Sequence, residues 1–435
     1  MAGKTPIIVS PQLDLFSSRP ADLSITDEID VEVRPTNTYT STSDIIFHIN
    51  GSEGLYMHPQ ILLSLSTKIV QADGTALPDK AAVAPINLLP HTAFKQMSLK
   101  LNDTLVSSSS NLYAYRSYVS IHLSYGTEAK KTWLQLYGYY RDTGDFSSVD
   151  PDVNKGFKVR QKLAKESMVM NFLTPLQIDF CLQPRLLLPG VNLEIAMVPA
   201  SDAFRVMANT AAKGAALKIV DISLIVKFVR VAPSLSLALE HTLRANVARY
   251  QISRLVTKSY TVPAGITVHN IENLSTGQLP SVIIAGIVEA DGFVGSYMKN
   301  PFDFKQKGLD SIQAFINGKT VPTIPYQPTI SSTNTDVTRE YFGLCEALGK
   351  IFGDSSTGLA LEDYGEGNFL YGFTLSPNEL NGQFETTSLK YGTLNLKTTF
   401  EVGGIDQPLV LVIFLVYQSE VKITADRQVV IDYIT

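Results

Sequence analysis

The chain repeats itself at long range. Ile69-Val-Gln-Ala-Asp-Gly74 returns as Ile287-Val-Glu-Ala-Asp-Gly292, 218 residues further on. Leu101-Asn-Asp-Thr-Leu-Val106 returns as Ile316-Asn-Gly-Lys-Thr-Val321, at an offset of 215. A third pair sets Pro189, Val191, Leu193 and Ile195 against Pro408, Val410, Val412 and Phe414, at 219. Three matches in one order at nearly one offset describe a tandem duplication of a unit of roughly 200 residues, an ordinary domain size. The 435-residue length agrees, because a single core stops growing at roughly 250–300 residues.

The repeated unit reads as β. In Glu28–Arg34 the apolar Ile29, Val31 and Val33 alternate with Glu28, Asp30, Glu32 and Arg34, and Ile45, Phe47 and Ile49 alternate with Asp44, His48 and Asn50. Period 2 sends one set to a core face and the other to water. Val220, Ile222, Leu224, Val226 and Phe228 predict another such face, as do Leu394 and Leu396. The 22 prolines and 28 glycines supply the turns that many short strands need. Asn102-Asp103 and Asn317-Gly318 sit between apolar alternations, the signature of a two-residue type I′ hairpin. Pro408–Tyr417 is apolar throughout but half the ~20 residues of a membrane-spanning helix, so it reads as a buried strand.

Helix signals are few. Leu235, Leu239, Leu243 and Val247 recur at i, i+4 after Pro233, with Arg249 expected in the last turn. Tyr341, Leu344, Cys345 and Leu348 stop at Gly349, and Leu112, Tyr115, Val119 and His122 stop at Gly126. The expectation is an all-β protein of two tandem eight-stranded antiparallel jelly rolls with a few short helices, a closed form that limits exposed edges. The boundaries expected are an extended N-terminal arm at 1–24, a first roll at 25–231, a helical linker at 232–252 and a second roll at 253–435.

Catalytic and metal signatures are missing. The six histidines (48, 58, 91, 122, 241, 269) include no pair at ligand spacing, and there is no His-Glu-x-x-His or Cys-x-x-Cys. Gly318-Lys319-Thr320 resembles the end of a phosphate loop, but the leading glycine would fall on Gln313. Asp150, Asp152 and Asn154 resemble a calcium loop, yet Lys155 and Gln161 stand where Gly and Glu are required. No catalytic, cofactor or metal residue is therefore assigned, and no cofactor. Lys155, Lys158, Arg160, Lys162 and Lys165 form one basic cluster, read as a solvated loop. With 36 Lys+Arg against 41 Asp+Glu, the net charge of −5 argues against a general nucleic-acid coat. Two cysteines, Cys181 and Cys345, make no disulfide framework. The start, Met1–Gln12, does not read as a signal peptide, so the expectation is a soluble protein that is not secreted.

Several segments resemble the hexon-like major capsid proteins of Polinton (Maverick) elements and adintoviruses. Asn87–Phe94, the Asn-containing hairpin of Ser98–Val106 and the Tyr-x-Tyr-Arg-x-Tyr helix of Tyr113–Tyr118 match in order. Gly295–Phe304, carrying Lys299-Asn-Pro-Phe302, and Ile316–Pro322 match in the second half. The resemblance covers most of 20–145 and 275–325 and is weaker in 146–250 and 326–380. It implies a double jelly roll without catalysis, trimerising into pseudo-hexagonal capsomers of an icosahedral virion shell. Its partners would be neighbouring capsomers, penton and minor capsid proteins, and weakly held double-stranded DNA, with synthesis in host cytoplasm and assembly there or in the nucleus. On that view the long segments 144–170 and 325–372 would be tower loops or trimer-seam elements. From the residues alone, a carbohydrate-binding or carbohydrate-active β-sandwich remains the alternative, and within the structural class a penton or minor capsid protein.

Overall fold

The structure is a computed structural model and describes residues 23–108, 110–330, 335–351, 355–375 and 390–433. The expected arm at 1–24 lies almost wholly outside these residues. The first half supplies eight main strands: β1 (Ile25–Val33), β2 (Ile45–Ile49), β3 (Leu62–Val70), β4 (Phe94–Leu101), β5 (Thr104–Ser108), β6 (Met170–Pro175), β7 (Leu193–Pro199) and β8 (Ala216–Val231). They pair as two sheets, β1-β8-β3-β6 and β2-β7-β4-β5. The second half supplies β9 (Ala248–Val262), β10 (Val268–Gln278), β11 (Val282–Glu289), β12 (Leu309–Ile316), β13 (Lys319–Tyr326), β14 (Leu370–Thr374), β15 (Tyr391–Phe400) and β16 (Leu409–Ile423). Their sheets are β9-β16-β11-β14 and β10-β15-β12-β13. Adding eight to each strand of the first half gives the order of the second. Every pairing is antiparallel, and the topology is two jelly rolls in tandem.

Two of the three repeated strings fall on equivalent strands. Ile69 and Ile287 end β3 and β11, and the 215 offset joins the β4–β5 hairpin to β12–β13. Both hairpins turn through two residues at positive φ: Asn102 (42°) with Asp103 (68°), and Asn317 (49°) with Gly318 (80°). Asn and Gly tolerate that region better than other residues. The third string is a false match. Leu193–Pro199 is β7, whose counterpart is β15, whereas the strand after Pro408 is β16, the counterpart of β8. Alternating apolar residues mark any strand, so they cannot fix which one.

Among the described residues, four helices of ten residues or more accompany the rolls. They are α1 (Tyr113–Ser124), α2 (Lys155–Ala164), α3 (Pro233–Ala245) and α4 (Thr338–Ala347). α1 and α4 hold equivalent places, between β5 and β6 and between β13 and β14. α3 runs between β8 and β9, but it ends at Ala245 and Arg249 lies in β9. Only Leu243 of its leucines is buried, so the predicted stripe does not face a core.

The basic cluster is not a loop. It is α2, whose Gly156, Phe157, Arg160 and Ala164 are buried on one face while Lys155, Lys158 and Lys162 stay in water. Asn154, from the calcium-like string, caps this helix by accepting the Phe157 N–H at 3.1 Å. Segments 144–170 and 325–372 thus carry α2 and α4 rather than plain loop.

In β8 the expected apolar face is interrupted. The register shifts between Ile219 and Asp221, leaving Val220 49% exposed while Ile222, Leu224 and Val226 face the core. A β-bulge inserts one residue, and so reverses the phase of the alternation.

Candidate functional site: the seam between the rolls

Buried side chains of both halves merge into one continuous apolar cluster. At its centre the α1 helix of the first roll meets the β11–β12 connection of the second. Tyr118 stacks on Phe302 with centroids 4.1 Å apart, and Tyr115 packs against Phe293 and Phe302, each at 5.2 Å. Aromatic contacts of this kind bury large areas and add about 0.5–1.5 kcal/mol each beyond area. The two most motif-like strings of the sequence, Tyr113–Tyr118 and Gly295–Phe304, are therefore the two sides of one joint.

A polar network closes the joint beside the aromatics. Arg160 donates to Asp142 at 2.8 Å, both fully buried, and also to the Pro85 and Tyr140 carbonyls. Asn300 reaches across with its side-chain amide to the Phe146 carbonyl at 3.2 Å and Asp142 Oδ2 at 3.4 Å. Its own Oδ1 accepts the Phe302 N–H at 3.0 Å, which sets the ring under Tyr118. A buried charge must be paired and hydrogen-bonded to be tolerated, and Asp142 is both.

Further contacts tie other parts of the two halves. Lys130 is buried and donates to the Thr357 carbonyl at 2.7 Å, and burial lowers its pKa to about 7. Arg141 pairs with Asp363. Arg116 and Asp179 form a buried ion pair within the first roll, and Asp179 also accepts the Leu255 N–H of β9 at 3.2 Å. Burial raises the Asp179 pKa against the pull of Arg116. The edge strand β9 is covered here too: Phe180 packs on Tyr250, whose hydroxyl bonds the Leu186 carbonyl and the Leu188 N–H at 3.2 Å each.

The histidines are dispersed. His91 is buried between Tyr113 Oη at 3.1 Å and Thr174 Oγ1 at 2.7 Å, and burial lowers its pKa to about 3. His122 lies beside Tyr139, and His48 is half-exposed near Glu194. Among the described residues no three His, Cys, Asp or Glu side chains gather to hold a metal, and no helix is long and apolar enough to cross a membrane. Cys181 and Cys345 are both buried. A hollow of about 290 Å³ opens at the seam between Leu112, Tyr115, Phe204 and Phe293, with Lys95 at its side. What the geometry performs is the joining of two rolls through one continuous core.

No family model matches the chain. A Caenorhabditis elegans protein, "Uncharacterized protein F54H12.2", is 26% identical over 347 residues, covering 78% of this chain and 80% of that one. A chain of the Sputnik virophage superposes with a TM-score of 0.66 at 10% identity, covering 99% of this chain and 94% of that chain. The mavirus major capsid protein superposes with a TM-score of 0.54 at 10% identity, covering 99% and 96%. The chain therefore has the double jelly-roll fold of viral major capsid proteins.

Proposed function

We propose that the chain is a major capsid protein of the Polinton–adintovirus type, three copies of which close into a pseudo-hexagonal capsomer. Capsomers then tile an icosahedral shell around double-stranded DNA, with penton and minor capsid proteins completing it. The observation that carries this reading is the seam: a continuous buried core and the Arg141–Asp363 ion pair join two similar rolls into one body. Three such bodies offer six similar wedges, so one chain packs hexagonally with few distinct contacts. A closed cyclic interface suits this, burying roughly 2,000 Å² or more with an apolar centre. The acidic chain predicts weak, local contact with the enclosed DNA. The place of action is the virion capsid, and the reading assigns no bond-making step. A relative encoded by a nematode suits a gene carried in an animal genome.

The test is native mass by light scattering behind size exclusion, followed by imaging of shells. The expected mass is three times the 47.7 kDa chain. A clean monomer at high concentration overturns the reading and directs the search to a glycan array.

A further inference from the structure

The hollow of about 290 Å³ at the seam has walls from both rolls. The first roll gives Lys95 of β4, the opening turn of α1 and the segment around Ser201 and Phe204, and the second gives Phe293 and Val294. Most of the wall is apolar. Tyr115 lies 5.2 Å from the Phe293 ring and 6.0 Å from the Phe204 ring, centroid to centroid. Next to Val294 the two rolls touch closely, since a Cβ on Gly295 would stand 3.1 Å from the Phe204 nitrogen and 3.2 Å from Ser201 Oγ. The space is therefore formed before any ligand arrives.

Three features make this space favourable to negative charge. Lys95 is exposed, and it is the single charged side chain among the described residues of the wall. The wall also contains the start of α1, a twelve-residue helix whose N-cap, Leu112, supplies no side-chain bond and whose first turn holds no acidic residue. The leading N–H groups of such a helix keep a partial positive charge that nothing local offsets. Tyr115, in that first turn, is 2% exposed, and its hydroxyl has no hydrogen-bond partner among the described residues. Native proteins rarely leave a buried hydroxyl in that state.

We infer that the hollow binds a small monocarboxylate with an apolar tail, a medium-chain fatty acid. The tail would lie against Phe204 and Phe293, and the carboxylate would be held by Lys95 and the first turn of α1. A neutral apolar ligand would leave the lysine and the helix end unused, and a sugar or nucleotide would find too few polar partners among Leu112, Ala114 and the phenylalanines. Small-molecule sites favour domain interfaces and combine an apolar lining with a few polar groups, as here. The inference goes beyond the capsomer reading and concerns one chain alone. Because both rolls supply the wall, a bound carboxylate favours the joined arrangement and raises its stability by mass action.

The experiment titrates octanoate into the full chain at neutral pH by calorimetry, with octanol lacking the charge and acetate lacking the tail. Octanoate is expected to bind at about millimolar concentration, in keeping with a ligand of roughly ten heavy atoms. Octanol is expected to bind about tenfold more weakly, and acetate not at all. The melting temperature should rise with the logarithm of octanoate concentration. Lys95→Met, a change on an exposed side chain, should weaken octanoate about five- to ten-fold and leave octanol unchanged, a selectivity that a merely structural lysine would not show. Ser201→Trp, which fills the hollow, should weaken both ligands. Should that variant fail to fold, Lys95→Met decides alone. Equal binding of octanoate and octanol, or a Lys95→Met variant with an unchanged ratio between them, overturns the inference. Absence of octanoate binding overturns it too, and leaves the hollow to an apolar side chain of a protein partner.

Discussion

Tyr118 and Phe302, 184 positions apart in the chain, stack with their planes 5° from parallel. One belongs to the helix after the first hairpin, the other to the connection after the third strand of the second roll. That single contact joins two of the strings by which the sequence resembles capsid proteins, and it gives both a structural reason.

Removing the ring tests the joint. Phe302→Ala deletes a fully buried side chain and is expected to cost about 3–5 kcal/mol. Because the loss falls between the rolls, denaturant unfolding should split from one transition into two. A single transition with unchanged midpoint, read by fluorescence and circular dichroism together, would contradict the joint's role.

Arg160→Met leaves Asp142 buried without its cation. Breaking one partner of a buried pair typically costs about 3–5 kcal/mol, and Asn300 loses an anchored acceptor as well. The double variant Arg160→Met, Asp142→Leu is expected to recover part of the loss, since the unpaired charge is gone. Urea midpoints of the two variants give the comparison.

Lys130 sets a pH dependence. Its pKa falls from the ordinary 10.5 to about 7 through burial, so between those values the unfolded chain holds a proton that the folded chain does not. Stability contributed by this residue therefore rises with pH across that window and is lowest below pH 7, with a slope of about 1.4 kcal/mol per pH unit at most. Lys130→Met should flatten thermal stability against pH between 7 and 10. An unchanged slope would remove Lys130 from the explanation.

Gly367 turns through φ of 79°, and a Cβ there would stand 2.6 Å from the Phe146 ring of the first roll. Gly367→Ala combines an unfavourable backbone region with overpacking, for an expected loss of about 2–4 kcal/mol. Calorimetry measures it directly. Ala at Gly365, where no atom lies within 4 Å of the added Cβ and φ is −71°, serves as the neutral control.

Much of the strand pattern was legible because burial on one face writes a period of two, as in Ile45, Phe47 and Ile49. The turns at Asn102 and Asn317 were legible because positive φ restricts residue choice. The sequence misleads where one residue alters the phase, as at Val220, or where alternation alone is matched, as with Pro189 and Pro408. It also misleads in α2, where Lys155, Lys158 and Lys162 mask a helix whose fixed face is carried by Gly156, Phe157 and Arg160. The seam could be found in sequence only as motifs. Which strings touch depends on contacts between halves, and no local period records them.

The joint inside each chain also changes how an assembly responds to dilution. In the proposed ring of three, six roll-to-roll joints would alternate between tethered and free. A tethered joint surrenders no translational freedom when it forms, because its partner is always present at high effective concentration. Mass action would then loosen only every other joint, and the smallest particle that dilution released would already be a matched pair of rolls.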